Sequence, residues 1–183
     1  MEFADQAHGD RLRKYADERY IQHPLRVMKT CQHYGYPLPV LAAAILHDVL
    51  EDTDTTTEDL REFLLTVMNE TNADHTLSLV TELTDVYTKD DYPRMNRRKR
   101  KGKEAIRIER ISAEAQTIKY ADIIDNANGI AGQDADFAPV FLKECSALLE
   151  KMNKGHKQLH KEAMDAVEKE LDQLKVTRQH GND

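Results

Sequence analysis

The sequence predicts an all-α domain, and three observations carry that expectation. Gly and Pro are scarce, at 7 and 5 of 183 residues, so few turns interrupt the chain. Apolar residues recur at three- and four-residue spacing through most of its length, as in helices with one buried face. No stretch alternates Val, Ile or Thr with polar residues as a half-buried strand would.

The elements follow in order. Pro24 suits the first turn of a helix running to about Tyr34, and Gly35-Tyr36-Pro37 closes it. Pro39 opens a second helix through Leu50. Asp54 to Thr57 ahead of Glu58 reads as a helix start, with Thr57 or a neighbour as cap. That helix carries Leu60, Phe63, Leu64 and Val67. Asn69 to Asp74 reads as a polar break, and Leu77, Leu79, Val80 and Leu83 mark the next helix, ending near Asp85. Tyr87 to Pro93 reads as a loop. From Arg94 to Lys103 there are seven basic residues and no acid, expected to be a solvated, mobile run; a lid whose charges meet phosphates is the sharper alternative. Ile106 to Gly129 is helical again, in two pieces. A last pair spans about Phe137 to Lys154 and about Lys157 to Leu174, with Leu159, Ala163, Val167, Leu171 and Leu174 for core or dimer packing. Residues 1–176 form a single domain and 177–183 a polar, frayed tail.

Size and composition narrow the function. A chain of 183 residues fits one domain with a real core. No apolar run approaches the ~20 residues needed to span a bilayer, so no membrane partner is expected. The start, MEFADQAHGD, lacks the basic-then-apolar layout of a signal peptide. Cys31 and Cys145 show no zinc spacing and make no disulfide framework, which points to a reducing cytoplasm. A net charge of −7 argues against a general nucleic-acid binder. It leaves room for a small anionic substrate, since a bound cation reverses the local field.

The chemistry concentrates in His47-Asp48-Val49-Leu50-Glu51-Asp52-Thr53, directly after the apolar run Leu41 to Leu46. A helix brings His47 near Glu51 and Asp48 near Asp52, because residues four apart share a face. Carboxylates and imidazoles crowded this way call for a cation. Two further segments offer ligands: Tyr20-Ile21-Gln22-His23-Pro24, with His23 at a helix entrance, and Lys119-Tyr120-Ala121-Asp122-Ile123-Ile124-Asp125-Asn126. A set of two imidazoles and two carboxylates suits Mn²⁺, Fe²⁺ or another divalent ion with open positions. The absence of cysteine counts against a structural zinc site.

In the order His…His-Asp…Asp the chain resembles the HD superfamily of metal-dependent phosphohydrolases. More closely, it is similar to the hydrolase domain of the RelA/SpoT enzymes and the single-domain small alarmone hydrolases. The matching blocks are Arg13-Lys14, Tyr20 to Pro24, Leu46 to Thr53 and Lys119 to Asn126, across roughly residues 7–130. The resemblance implies an HD-domain helical bundle and one divalent ion, Mn²⁺ in the family, on His23, His47, Asp48 and Asp122. It implies that Glu51 and Asp52 position and deprotonate the attacking water. It places Arg13 and Lys14 against a guanine base with Tyr20 supporting that wall, and Lys119 and Asn126 near the nucleotide. The expected reaction removes the 3′-pyrophosphate of (p)ppGpp, giving GDP or GTP and pyrophosphate. Alternatives are a phosphatase for another nucleotide, such as a 5′-nucleotide or NADPH, and a nucleotide-binding module without turnover. The expected partner is thus a small nucleotide, and assembly into identical copies stays open.

The chain departs from the family at Ala16-Asp17-Glu18-Arg19, where a Gly-Glu-Pro-like turn is usual, and at Ala127-Asn128-Gly129, where Met-Arg-Thr is usual. After the Thr-rich turn, Phe63-Leu64 stands in place of Phe-Gly, with a longer polar insert. The metal blocks are intact while the substrate side has drifted. His8 precedes Arg13 in the same block and is the one other histidine singled out.

Overall fold

The apolar segment from Leu38 to Leu46 forms a helix whose Val40, Ala43 and Ala44 have no exposed surface. It is one of several helices packed around a central one in the computed structural model, which describes residues 1–14 and 17–180, without the side chains of 177–180. The helices are α1 (Glu2–His8), α2 (Gln22–His33), α3 (Leu38–Leu46), α4 (Val49–Asp52), α5 (Thr57–Val67), α6 (Glu70–Leu83), α7 (Arg97–Ile108), α8 (Ala113–Ala127), α9 (Ile130–Gln133), α10 (Ala138–Leu149) and α11 (Lys157–His180). Among the described residues, the extended pairing is a lone antiparallel bridge between Leu12 and Arg19. The all-α expectation holds. No helix among the described residues is long and apolar enough to cross a membrane.

The central helix is α8. It packs against α2, α11, α6 and α3, while α3 packs in turn on α2 and α6. Ala115, Ile118, Tyr120, Ala121 and Ile123 are buried along it. A buried polar group is tolerated only when paired, and α8 obeys this. Gln116 donates to the Ile108 and Glu109 carbonyls, and the Tyr120 hydroxyl donates to the Met152 carbonyl at 2.8 Å. Gly129, at φ 78°, takes the left-handed conformation that turns the chain from α8 into α9.

Local chemistry explains where the elements differ from expectation. The helix expected from Pro39 to Leu50 is split: α3 ends at Leu46, and His47 and Asp48 form the turn into α4. The break expected over Asn69 to Asp74 shrinks to Met68 and Asn69, the two residues between α5 and α6. Asn69 accepts a hydrogen bond from the Asn72 amide at 2.9 Å, a helix cap, and Ala73 and Thr76 are already buried. The basic run is largely helical. Asn96 caps α7 through the Lys99 amide, and buried Glu104 accepts the amides of Val86 and Tyr87. Helix α1 had no clear signal in sequence; it is held by buried Ala4 and by Phe3 stacked on Phe63 at 4.2 Å. The last helix continues to His180, into the segment expected to fray; residues 181–183 of that tail and Ala16 lie outside the described residues. The cap expected at Thr57 or a neighbour is Thr56, in a capping box with Asp59.

Candidate metal centre

Three elements deliver the ligand-type side chains to one point. Pro24 is harmless in the first turn of α2, where its missing N–H would have had no partner, and this turn points His23 inward. The end of the apolar helix α3 delivers His47, with Asp48 beside it in the turn. Helix α8 carries Lys119, Asp122 and Asn126, spaced three and four apart and so on one face. Atoms of His23, His47 and Asp122 lie within 4.8 Å of one another, and all three residues are buried. Asp48 closes the group: its Oδ2 lies 3.0 Å from His47 Nε2 and 3.6 Å from His23 Nε2. Asp122 Oδ1 is 3.2 Å from His23 Nε2 and 3.7 Å from His47 Nε2.

The donor set fits a divalent ion. His47 Nδ1 lies 2.8 Å from the Ala44 carbonyl, an acceptor, so Nδ1 carries a proton and Nε2 is the ring atom turned toward the carboxylates. That Nε2 is buried and has no hydrogen-bond partner, so its 3.0 Å approach to Asp48 is convergence without a bond. A buried, orphaned imidazole nitrogen facing two carboxylates is costly unless a cation joins them. The electrostatics agree. Burial opposes charge on both rings, but Asp122 and Asp125 raise His23, and Asp48 and Asp122 raise His47 well above its ordinary value. Burial also opposes charge on the carboxyls, but His47 holds Asp48 down, and Lys119 and the two histidines hold Asp122 well down.

Above this cluster opens a cleft of about 900 Å³. Tyr20, Asp48, Glu51, Asp52, Lys119, Asp122 and Asn126 line one side; α7 contributes Arg97, Arg98 and Lys101, and α10 contributes Val140, Phe141 and Lys143. Glu51 accepts the Asp85 amide at 3.2 Å. It is reached by solvent along the cleft yet crowded by protein, and burial with the neighbouring Asp85 charge pushes its carboxyl up to about 7. Asp52 is instead paired with Arg11 at 2.9 Å. The Tyr20 hydroxyl donates to Asp48 Oδ2 at 2.6 Å, and its ring lies between His8, 4.5 Å away, and the Arg11 guanidinium, 4.6 Å away. Lys119 pairs with Asp122 Oδ2 at 2.8 Å; burial opposes its charge, but Asp122 and Asp85 raise it above its ordinary value.

Two expected substrate residues stand apart from the cleft lining. Arg13 donates to Asp125 at 2.5 Å and to Asn126 at 2.8 Å. The Lys14 ammonium lies 5.5 Å from the Phe137 ring and 3.9 Å from Asp134. His8 is buried, its two nitrogens have no hydrogen-bond partner, and burial lowers its pKa. Sequence reasoning passed over Asp85, Arg11 and Asp125. Asp85 and Arg11 touch the catalytic candidates only through the fold, whereas Asp125 follows Asp122 in the same helix and so had a sequence signal.

Fold and site together define a helical domain built around two histidines and two carboxylates that could hold a cation. A sequence model of the HD domain matches residues 20–127, from the tyrosine before His23 to the residue after Asn126. The chain belongs to the HD domain family. Among relatives, a guanosine-3′,5′-bis(diphosphate) 3′-pyrophosphohydrolase of Aquifex aeolicus is 48% identical over 61 residues, which are 33% of this chain and 9% of that protein. The MESH1 guanosine-3′,5′-bis(diphosphate) 3′-pyrophosphohydrolase of Xenopus tropicalis is 34% identical over 128 residues, 68% of this chain and 63% of that one. The chain therefore spans less than two thirds of each of these relatives. A solved structure of a metazoan SpoT orthologue, described as hydrolysing ppGpp, superposes with a TM-score of 0.73 at 23% identity over 91% of this chain and 89% of that one. That likeness shows the fold.

Proposed function

We propose that this chain is a Mn²⁺-dependent hydrolase of guanosine 3′-pyrophosphates, converting (p)ppGpp to GDP or GTP and pyrophosphate in the cytoplasm. The observation that carries the hydrolase reading is the orphaned Nε2 of His47, facing His23, Asp48 and Asp122 at the floor of a nucleotide-sized cleft. The relatives of Aquifex and Xenopus support the substrate. A divalent ion held by His23, His47, Asp48 and Asp122 would supply an acidified water and offset charge on the phosphoryl oxygens.

The chain's own groups do the rest. Glu51 takes a proton from the attacking water, and its elevated pKa suits a base working near neutrality. Asp52, fixed by Arg11, orients that water. The water oxygen adds to the phosphorus next to the 3′ oxygen, the P–O3′ bond breaks, and the 3′ oxygen leaves as the sugar hydroxyl with a proton taken from solvent, while Glu51 returns its own proton to solvent. Tyr20, Lys119 and Asn126 are the substrate-facing polar groups, while Lys14 lies outside the cleft lining beside Phe137 and Asp134. The Glu51-Asp52 pair at the cleft argues against a binding module without turnover, which needs no base.

Incubation with ppGpp, GTP, dGTP and NADPH in Mn²⁺ tests this directly. GDP and intact pyrophosphate from ppGpp are expected, with the ion lost from His47→Ala and Asp122→Ala. Orthophosphate from NADPH or from a 5′-monophosphate, with ppGpp untouched, would overturn the substrate. Wild-type metal content in both variants would overturn the site.

A further inference from the structure

We propose that Asp125, gripped by Arg13 and Arg26, is the positioning residue of the cation site, and that Arg13 acts through it and Asn126 rather than on the substrate. The inference rests on the metal reading above.

Asp125 Oδ2 lies 2.7 Å from His23 Nδ1. A carboxylate can only accept there, so the ring donates from Nδ1 and turns the Nε2 lone pair toward Asp122 and Asp48. Such a carboxylate–histidine pair fixes ring orientation and makes the imidazole a stronger ligand. The second histidine lacks this help, since His47 Nδ1 meets only the neutral Ala44 carbonyl. His23 is thus the ligand whose strength the chain can set through a charge.

Asp125 itself is over-supplied with cations. Arg26 Nε approaches its Oδ1 at 2.5 Å, and Arg13 approaches Oδ2 at 2.5 Å. Its side chain is only 11% exposed. Two guanidiniums on one carboxylate exceed what neutralisation needs, but they hold both oxygens in place. Arg26 is itself steadied by a two-pronged contact with Glu18, at 2.7 and 2.9 Å.

The second fork of Arg13 carries the argument further. It donates to Asn126 Oδ1, and the Asn126 amide donates to Asp122 Oδ1. One guanidinium therefore supports two intermediaries, and each touches a different proposed ligand: Asp125 touches His23, and Asn126 touches Asp122. A residue contacting only the base has no reason to spend both forks this way.

The test titrates the full chain with Mn²⁺ alone, before any nucleotide is added. Asp125→Asn keeps the shape and an accepting oxygen but removes the charge. Its Mn²⁺ Kd should rise about 10–100-fold, as for other groups that orient metal ligands. Arg13→Gln should likewise weaken Mn²⁺ binding in the absence of nucleotide. Wild-type Mn²⁺ affinity in Asp125→Asn overturns the proposal. So does an Arg13→Gln enzyme with raised KM and unchanged Mn²⁺ affinity, which returns Arg13 to the substrate. If Asp125→Asn fails to fold, Arg26→Gln, which removes the other guanidinium from Asp125, is titrated in its place: weakened Mn²⁺ binding supports the role, and wild-type affinity refutes it. A wild type that binds no Mn²⁺ removes the metal reading and this inference together, whereas one that binds Mn²⁺ and spares ppGpp removes only the substrate.

Discussion

Glu51→Gln separates base catalysis from metal binding more cleanly than any other change. The glutamate already uses one oxygen to accept the Asp85 amide, and a glutamine carbonyl can keep that bond. The substitution leaves all four proposed metal ligands in place, so metal content should remain at one ion per chain. What disappears is the capacity to take a proton. Loss of a general base typically costs about 10²- to 10⁴-fold, or roughly 3–5.5 kcal/mol at 1.36 kcal/mol per decade. With its carboxyl near 7, Glu51 is about half ionised at pH 7 and about nine-tenths ionised at pH 8. The wild-type rate should therefore fall with a slope of one on the acid side. A nearby cation lowers that limb, and Asp85→Asn lowers it further, because Asp85 is the leading charge holding Glu51 up. The assay is kcat for ppGpp between about pH 5.5 and 8.5, with metal content by mass spectrometry. A Glu51→Gln enzyme within about threefold of wild-type kcat, with its ion retained, would refute the reasoning.

Asp52→Asn should keep the ion and lose turnover, through the lost orientation that Arg11 now gives Asp52; near-normal kcat would leave Asp52 as a helix-end charge. Gly155→Ala should lower Tm through about 1–3 kcal/mol of overpacking, because the new Cβ would lie 2.5 Å from Cε2 of the fully buried Tyr120; an unchanged Tm would show that α8 yields at that point. In chelator-treated protein, the stability tied to protonated Glu51 is fully present below its ordinary pKa of 4.5 and is lost as pH rises through about 7. Urea midpoints of the wild type should therefore fall relative to Glu51→Gln across that window, and parallel curves would show that its carboxyl is not held up.

The helices with a cap and an apolar stripe were legible in sequence. Pro24, Pro39 and the Thr-rich turn before Glu58 announce their starts, and the observed α2, α3 and α5 begin within two residues of those signals. Polar residues misled where a single side chain did the capping. Asn69 and Asn96 each satisfy an amide three residues on, so a polar stretch that reads as a break continues as α6 or α7. The charge of α7 also hid its anchors. Glu104 is 3% exposed and Ile108 1% exposed, two buried residues one turn apart just beyond the basic run Arg94–Lys103 that reads as solvated. Composition averages such residues away.

The convergence of the candidate ligands was legible for a different reason. His47 and Asp48 adjoin, and Asp122 and Asn126 share one turn of one helix, so short blocks preserve the local geometry. The groups that orient them are dispersed. Arg13 meets Asp125 across 112 residues of chain, and Arg26 meets it across 99, distances over which neither spacing nor periodicity carries information. That asymmetry has a chemical consequence. A block containing the ligands can stay intact while the residues that orient the ligands are replaced, so sequence blocks report that an ion binds better than how tightly it binds. Asp48 shows both sides: its place beside His47 is fixed by adjacency, but its Oδ2 is aimed by the hydroxyl of Tyr20, 28 residues earlier, at 2.6 Å. Tyr20→Phe should thus spare the fold, since the ring keeps its place between His8 and Arg11, and should weaken Mn²⁺ binding by roughly the 1.5–3 kcal/mol of a hydrogen bond to a charged group. Unchanged Mn²⁺ affinity with a raised KM would assign the Tyr20 hydroxyl to the nucleotide instead.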